Sequence, residues 1–275
     1  MVAASITMEK PTKTSLRFHG NTFASPFRTV TGLYFFKHLH DIADEHFVVI
    51  LLRVTLPVDC RVNKAVGVNL LCMIRTFKQS EVEALAQNGS IPIINGLTDF
   101  SHPCQVLADL MTIREYKGSL DGLKMCFIGD GNNMMNSLIV ACLKMKMEVA
   151  VACPSDYKPS AAVLDFAVAH PAFSMTTDPM EAAKGADVLI TDVWASMGQE
   201  AEAQKRREAF KGFQINDELM TVAKSDAMVQ HCLPAHRGEE ISAEIFEKHA
   251  KEIFDEAENR LHAQKAVLVK LLGNK

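Results

Sequence analysis

The second half of the chain alternates short apolar runs with segments of helical spacing, and this alternation restricts the fold more than any other feature. Apolar runs lie at 125–129, 149–153, 188–194 and 227–233, and helix-favouring segments separate them. Strands with a near-continuous apolar character are typical of parallel sheets that helices cover on both faces. The sequence therefore predicts an α/β protein that binds ligands beyond the carboxyl ends of its strands.

The first half contains the same kinds of element, less regularly spaced. Residues 47–54 and 69–74 are predicted strands, whereas 80–87 and 104–116 have helical spacing. The stretch from Gly118 to Gly122 is the expected domain boundary, because glycine favours turns.

Charge and composition exclude several functional classes. Lys and Arg number 29 against 33 Asp and Glu, a net charge of −4, which argues against a general nucleic-acid binder. The apolar run at 47–52 is far shorter than the roughly 20 residues of a membrane span, so we expect no membrane association. Seven cysteines without a C-x-x-C pair indicate free thiols in a reducing compartment. We expect the cytoplasm, with the mitochondrial matrix as the alternative because residues 1–30 mildly resemble a transit peptide.

Polar side chains follow the predicted strands and have complementary charges. Arg75, His102 and Gln105 offer a fixed cation and neutral donors, which suit a phosphate or carboxylate. Asp192 offers the opposite sign, which suits an amino group. A cleft that contains both would fit a reaction between an anionic donor and an amine.

Two other kinds of site fit the residues less well. The string Gly-Asp-Gly-Asn-Asn at 129–133 lacks the G-x-G-x-x-G spacing of a dinucleotide site. His231, Cys232 and His236 have no recurring metal-ligand spacing. We therefore expect neither a cofactor nor a metal.

Several motifs together resemble one family, the ornithine carbamoyltransferases. They are His-Pro-Cys-Gln-Val-Leu-Ala-Asp (102–109), Gly-Asp-Gly-Asn-Asn-Met (129–134), Asp-Val-Trp-Ala-Ser-Met-Gly-Gln-Glu (192–200), His-Cys-Leu-Pro (231–234) and Glu-Asn-Arg-Leu-His (258–262). They occur in the family's order and cover roughly three quarters of the chain.

The resemblance implies an α/β fold of two domains, each a mainly parallel sheet flanked by helices. It implies a carbamoyl-phosphate-binding domain over 1–117, an ornithine-binding domain over 118–245, and a terminal helix over 246–275 that packs back on the first domain. It also implies a homotrimer without metal. The reaction would transfer the carbamoyl group of carbamoyl phosphate to the δ-amine of L-ornithine, giving citrulline and phosphate.

The resemblance also carries residue roles. The catalytic candidates are Arg75, His102, Cys232 and Asp192. The carbamoyl-phosphate candidates are Arg28, Thr29, Arg75, His102, Gln105, Cys232, Leu233 and Arg260. The ornithine candidates are Asn133, Asp192, Ser196 and Met197, and the polar run after Gly198 (200–207) suits a mobile loop that closes over ornithine.

The chain departs from the family at its phosphate loop. The family's Ser-Thr-Arg-Thr-Arg string, which opens a helix and binds phosphate at its N-terminus, is absent. Ser-Pro-Phe-Arg-Thr at 25–29 is the preferred substitute, and Met-Glu-Lys-Pro-Thr-Lys-Thr at 8–14 is the other. The alternative function is therefore a catalytically impaired or non-catalytic homologue that retains ornithine-type binding or assembly.

Overall fold

A five-stranded parallel sheet forms the larger part of the structure. In this computed structural model, residues 33–36, 48–55, 67–195 and 200–272 are described. The five strands are β5 (Lys124–Ile128), β6 (Glu148–Ala152), β7 (Phe173–Thr176), β8 (Val188–Thr191) and β9 (Met228–His231). Their order across the sheet is β7-β6-β5-β8-β9, and every neighbouring pair is parallel.

A second sheet has four strands, which are β1 (Leu33–Phe36), β2 (Val48–Thr55), β3 (Gly67–Arg75) and β4 (Ile93–Leu97). The pairing of β3 with β4 is parallel, whereas β2 pairs antiparallel with both β1 and β3. Parallel pairings are thus five of the seven described, and the expectation of an α/β fold with mainly parallel sheets is confirmed.

Nine α-helices accompany these strands in the described ranges. They are α1 (Gln79–Asn88), α2 (Pro103–Lys117), α3 (Asn133–Lys144), α4 (Ala161–Ala167), α5 (Pro179–Ala183), α6 (Ala203–Ala209), α7 (Asp217–Met220), α8 (Ala243–Lys248) and α9 (Ala250–Leu272). The long helix α9 packs along α2 and against β9. Among these helices, none combines the length and apolar character that crossing a membrane requires.

The core lies on both faces of the parallel sheet. On one face, Phe127 and Val151 pack against apolar side chains of α3, including Leu138. On the other face, Ile128 and Leu189 pack in a cluster with Phe210. Apolar side chains fill both faces because the central strands β5, β6, β8 and β9 are apolar over most of their length, as expected for parallel strands that helices cover on both sides.

Two segments differ from the sequence prediction. Strand β7 lies at the sheet edge, where the side chains of Ser174 and Met175 are exposed, so it has no apolar run to mark it. Residues 200–207, interpreted as part of a mobile loop, instead form a 3₁₀ turn (200–202) and the start of α6. Arg206 is buried there and anchors the helix, and the closing motion suggested for this segment stays a prediction.

Candidate active site

The ends of β5 and β8 meet at the point where the chain order of the parallel sheet reverses. The chain passes from β5 to β6 and β7, and then returns to place β8 on the other side of β5. Such a reversal opens a crevice beyond the carboxyl ends of the strands, where α/β proteins bind ligands. Asn132, after β5, and Asp192, after β8, meet there: Asn132 Nδ2 donates to Asp192 Oδ2 over 2.8 Å.

The turn after β5 needs glycine at one position. A Cβ atom on Gly131 would lie 2.2 Å from the backbone carbon of Lys158, closer than any real contact. The turn leads into α3, where Asn132 Oδ1 accepts from the N–H groups of Met134 and Met135 and caps the helix. One side chain thus starts α3 and also fixes the carboxylate of Asp192.

A cationic group of side chains lies where β3 ends and α2 begins. Arg75 is the last residue of β3, and His102 precedes the first turn of α2. The guanidinium of Arg260, from α9, donates to Gln105 Oε1. Burial, together with the charges of Arg260 and Arg75, lowers the pKa of His102 to about 3, so its ring is neutral at physiological pH.

Two nitrogen atoms in this group lack a hydrogen-bond partner among the described residues. They are His102 Nδ1 and Arg260 Nε, and both atoms are buried. Burial and the charge of Arg260 also lower the pKa of Arg75. The two guanidinium charges repel each other in this partly buried setting, and a bound anion would stabilise them while it accepts from the neutral donors.

The thiol of Cys232 lies against Asp192. Cys232 follows β9, and its Sγ donates to Asp192 Oδ1 over 3.0 Å. Burial and the charge of Asp192 raise the pKa of the Cys232 thiol well above its ordinary value. Cys232 is therefore a thiol and hydrogen-bond donor at neutral pH, and Asp192 carries the negative charge of this part of the site.

His231 shapes the turn that follows Cys232. The N–H of Leu233 donates to His231 Nδ1 over 3.0 Å, so Nδ1 is the acceptor and Nε2 carries the proton. His231 Nε2 then donates to Glu240 Oε1, also over 3.0 Å, between two fully buried side chains. Leu233 has φ +53, a left-handed conformation that is rare for leucine, and the His231 contact holds it there.

The predicted site residues therefore fall into four sets. Arg75, His102, Gln105 and Arg260 lie together, and Asp192 and Cys232 are in contact. Asn133 begins α3, but its Nδ2 donates to the carbonyl of Thr98 over 2.6 Å, a contact that ties α3 to the loop after β4. Arg28, Thr29, Ser196 and Met197 lie outside the described residues.

Three important residues were not identified from the sequence. Arg206 Nη1 donates to Asp130 Oδ2 over 2.8 Å and to the carbonyl of Trp194 over 2.9 Å, with its guanidinium 5.0 Å from the Tyr157 ring centre. Asp130, Arg206 and Glu256 are charged residues with exposures of 7% or less. Such burial depends on a partner, and no local pattern reveals a partner so distant along the chain.

Within the described ranges, two groups of side chains place possible metal-ligating atoms within 4.8 Å of one another. They are Asp192, His231 and Cys232, and His236, Glu239 and Glu240. In the first group the thiol and both imidazole nitrogens already have protein partners. In the second group Arg207 pairs with Glu239 over 2.8 Å. The protein itself therefore already satisfies most of the possible ligand atoms of the first group and one carboxylate of the second.

Sequence profiles of two domains match the chain. The profile of the aspartate/ornithine carbamoyltransferase Asp/Orn binding domain matches residues 121–271, and that of the carbamoyl-P binding domain matches residues 61–115. The first match alone spans more than half of the 275 residues.

The chain belongs to the aspartate/ornithine carbamoyltransferase family.

Relatives named ornithine carbamoyltransferase are similar over much of the chain. Those of Carboxydothermus hydrogenoformans and Pyrococcus horikoshii are 53% and 52% identical over 206 residues, or 73% of this chain. The matched part is 66% of the first relative and 65% of the second, so the chain spans slightly less than two thirds of their length.

Solved structures agree with this assignment to the carbamoyltransferase family. The ornithine carbamoyltransferase of Pyrococcus furiosus matches with a TM-score of 0.70 at 47% identity, over 75% of this chain and 68% of that one. The anabolic enzyme of Campylobacter jejuni matches with a TM-score of 0.72 at 42% identity, over 75% and 70%.

Proposed function

We propose that this carbamoyltransferase homologue transfers the carbamoyl group of carbamoyl phosphate to the δ-amine of L-ornithine. The uncharged amine nitrogen would bond to the carbonyl carbon as the bond from that carbon to the phosphate oxygen breaks. The departing phosphate takes up the proton that the nitrogen loses, giving citrulline and inorganic phosphate. The observation that carries the proposal is the charge arrangement of the crevice. Cationic and neutral donors of Arg75, His102, Gln105 and Arg260 form one group, and Asp192 in contact with Cys232 forms the other.

Each side of the crevice has a separate task. Preorganised donors beside the carbonyl oxygen would stabilise the charge that develops there when the amine attacks. The neutral ring of His102 can donate without adding a further charge to the arginines. Asp192 would orient the ammonium group of ornithine before it loses a proton, and holding both substrates in one geometry supplies much of the remaining acceleration.

Citrulline formation with both substrates tests this function. The expected result is phosphate released in equal amount to citrulline, with no product when either substrate is omitted. Absence of turnover while ornithine still binds, measured by calorimetry, would contradict the enzymatic proposal and favour a non-catalytic homologue. Binding of a bisubstrate phosphonate analogue would show separately that the donor pocket is intact.

We also propose a homotrimer in the cytoplasm, with the mitochondrial matrix as the alternative compartment. The resemblance to ornithine carbamoyltransferases supports the trimer, and light scattering after size exclusion would measure its mass. The six described cysteines form no disulfide, which supports a reducing compartment. Cell fractionation would distinguish the two compartments. The division at 117/118 and 245/246 also remains a proposal, which limited proteolysis would test.

A further inference from the structure

Glu256 connects three parts of the candidate site. It lies on α9 and is 1% exposed, and both of its carboxylate oxygens accept hydrogen bonds. Oε1 accepts from Gln105 Nε2 over 2.9 Å, and Oε2 accepts from the backbone N–H of His231 over 3.0 Å. Gln105 Oε1 in turn accepts from the Arg260 guanidinium, so Glu256 is linked to Arg260 through the Gln105 amide.

Asp109 completes this arrangement. It is fully buried, and its Oδ1 accepts from Gln105 Nε2 over 2.8 Å, so one amide group bridges the two acids. Its carboxyl group also lies within hydrogen-bond reach of the Glu256 carboxyl, so a proton on either acid can be shared with the other. Burial and the charge of Asp109 raise the pKa of Glu256, so Glu256 keeps its proton to a higher pH than an exposed glutamate does.

We propose that Glu256 is a positioning residue of the carbamoyl-phosphate side of the site. It fixes the amide of Gln105, so that Gln105 presents its oxygen to Arg260, and it fixes the backbone at His231, which sets the position of the Cys232 thiol. Glu256 itself touches neither substrate in this assignment. The kinetic consequence rests on the proposed carbamoyl transfer, whereas the positioning of the Cys232 turn does not.

Three variants separate positioning from simple support of the fold. E256M keeps the length of the side chain and removes both acceptors. E256Q keeps one acceptor oxygen, and its amide nitrogen should turn toward the Asp109 carboxyl group. The remaining oxygen then still accepts from the His231 N–H, whereas the Gln105 amide loses its acceptor on residue 256. E252M is the matched control, because Glu252, one turn earlier on α9, accepts from the Val229 N–H over 2.8 Å and contacts no predicted site residue.

The rate of Cys232 alkylation by iodoacetamide, measured by peptide mass spectrometry, reports the position of the turn without requiring turnover. Loss of a buried hydrogen bond should favour local opening, so we expect E256M to react about tenfold faster than the unmodified chain. E256Q and E252M should react within about twofold of the unmodified chain. Equal rates in E256M and E252M would overturn the proposal. If E256M does not fold, E256D serves instead, because the shorter chain withdraws the carboxylate from the His231 N–H.

A kinetic comparison tests the Gln105 contact. E256Q should raise the KM for carbamoyl phosphate about tenfold and leave the KM for ornithine unchanged, because only the donor side loses its geometry. A parallel rise in both constants would contradict the assignment. Failure of the proposed function can be told apart from failure of this inference. If the proposed function is wrong, the unmodified chain forms no citrulline, but the alkylation rates of the variants can still be compared.

Discussion

The side-chain amide of Asn132 is 2.8 Å from Asp192 Oδ2, and this contact joins the ends of two strands that are neighbours in space but 60 residues apart in sequence. The other oxygen of Asp192 accepts from Cys232 Sγ and from the N–H of Val193. Asp192 therefore reaches the crevice with its charge fixed in position by three donors.

Replacing Asp192 with asparagine should weaken ornithine binding. D192N removes the negative charge that would hold the ammonium group, so the KM for ornithine should rise by about 10²-fold. Steady-state kinetics with each substrate varied in turn would measure this. The KM for carbamoyl phosphate serves as the internal control, and an unchanged ornithine KM would refute the role given to Asp192.

Replacing Arg75 with alanine should reduce turnover. The guanidinium lies beside His102 and Arg260, where it would stabilise charge that develops on the carbonyl oxygen. R75A should therefore lower kcat by at least about 10². The control is K78A, a change three residues later at an exposed lysine. A near-normal kcat for R75A would show that Arg75 does not act on the reacting group.

His102 should make stability depend on pH. Its pKa is about 3 in the folded protein and near its ordinary 6.5 in the unfolded chain, so between these values the unfolded state binds more protons. The contribution of His102 is therefore fully present above about pH 6.5 and is lost as the pH falls.

The H102N variant tests this dependence. Between pH 7 and pH 5 the unmodified chain should lose about 2 kcal/mol of unfolding free energy through His102, and H102N should lack that loss. Denaturant titrations at several pH values would provide the curves. The quantity to compare is the difference in unfolding free energy between the two proteins at each pH. Burial raises the pKa of Asp130 to about 6, so Asp130 changes stability in the opposite direction, but it does so equally in both proteins and cancels in the difference. Parallel curves of unfolding free energy against pH for the two proteins would contradict the lowered pKa of His102.

The buried pair of Asp130 and Arg206 should be needed for stability. D130N leaves the guanidinium buried without its charge partner, so unfolding at pH 7.5 should become about 3 kcal/mol easier. The matched control is E239Q, which breaks the partly exposed pair with Arg207 on the same helix and should cost less than about 1 kcal/mol. Equal losses of unfolding free energy in D130N and E239Q would show that burial of the Arg206 pair does not increase its contribution to stability.

The sequence predicted the central strands well because their physical signal is local. An all-parallel sheet buries both faces, so β5, β6, β8 and β9 are recognisable as apolar runs. Edge strand β7 gave no such signal because two of its four side chains are exposed.

The candidate site was predictable only where its residues follow strands or belong to family motifs. Arg75, His102, Gln105 and Asp192 could be located in this way. Glu256 could not, because an acid on a helix is ordinarily solvated, and only the packing of α9 against α2 and β9 buries it. Arg206 escaped notice for the same reason, since its partner Asp130 is 76 residues away in the sequence.

The packing of α9 against α2 and β9 also affects how the protein is made. A nascent chain that has folded its parallel sheet still lacks Arg260 and Glu256 until α9 leaves the ribosome. Until then Gln105 and the His231 N–H lack the Glu256 carboxylate that they contact in the folded protein. Every intermediate before that moment must rely on its own core, without the buried contacts that α9 supplies.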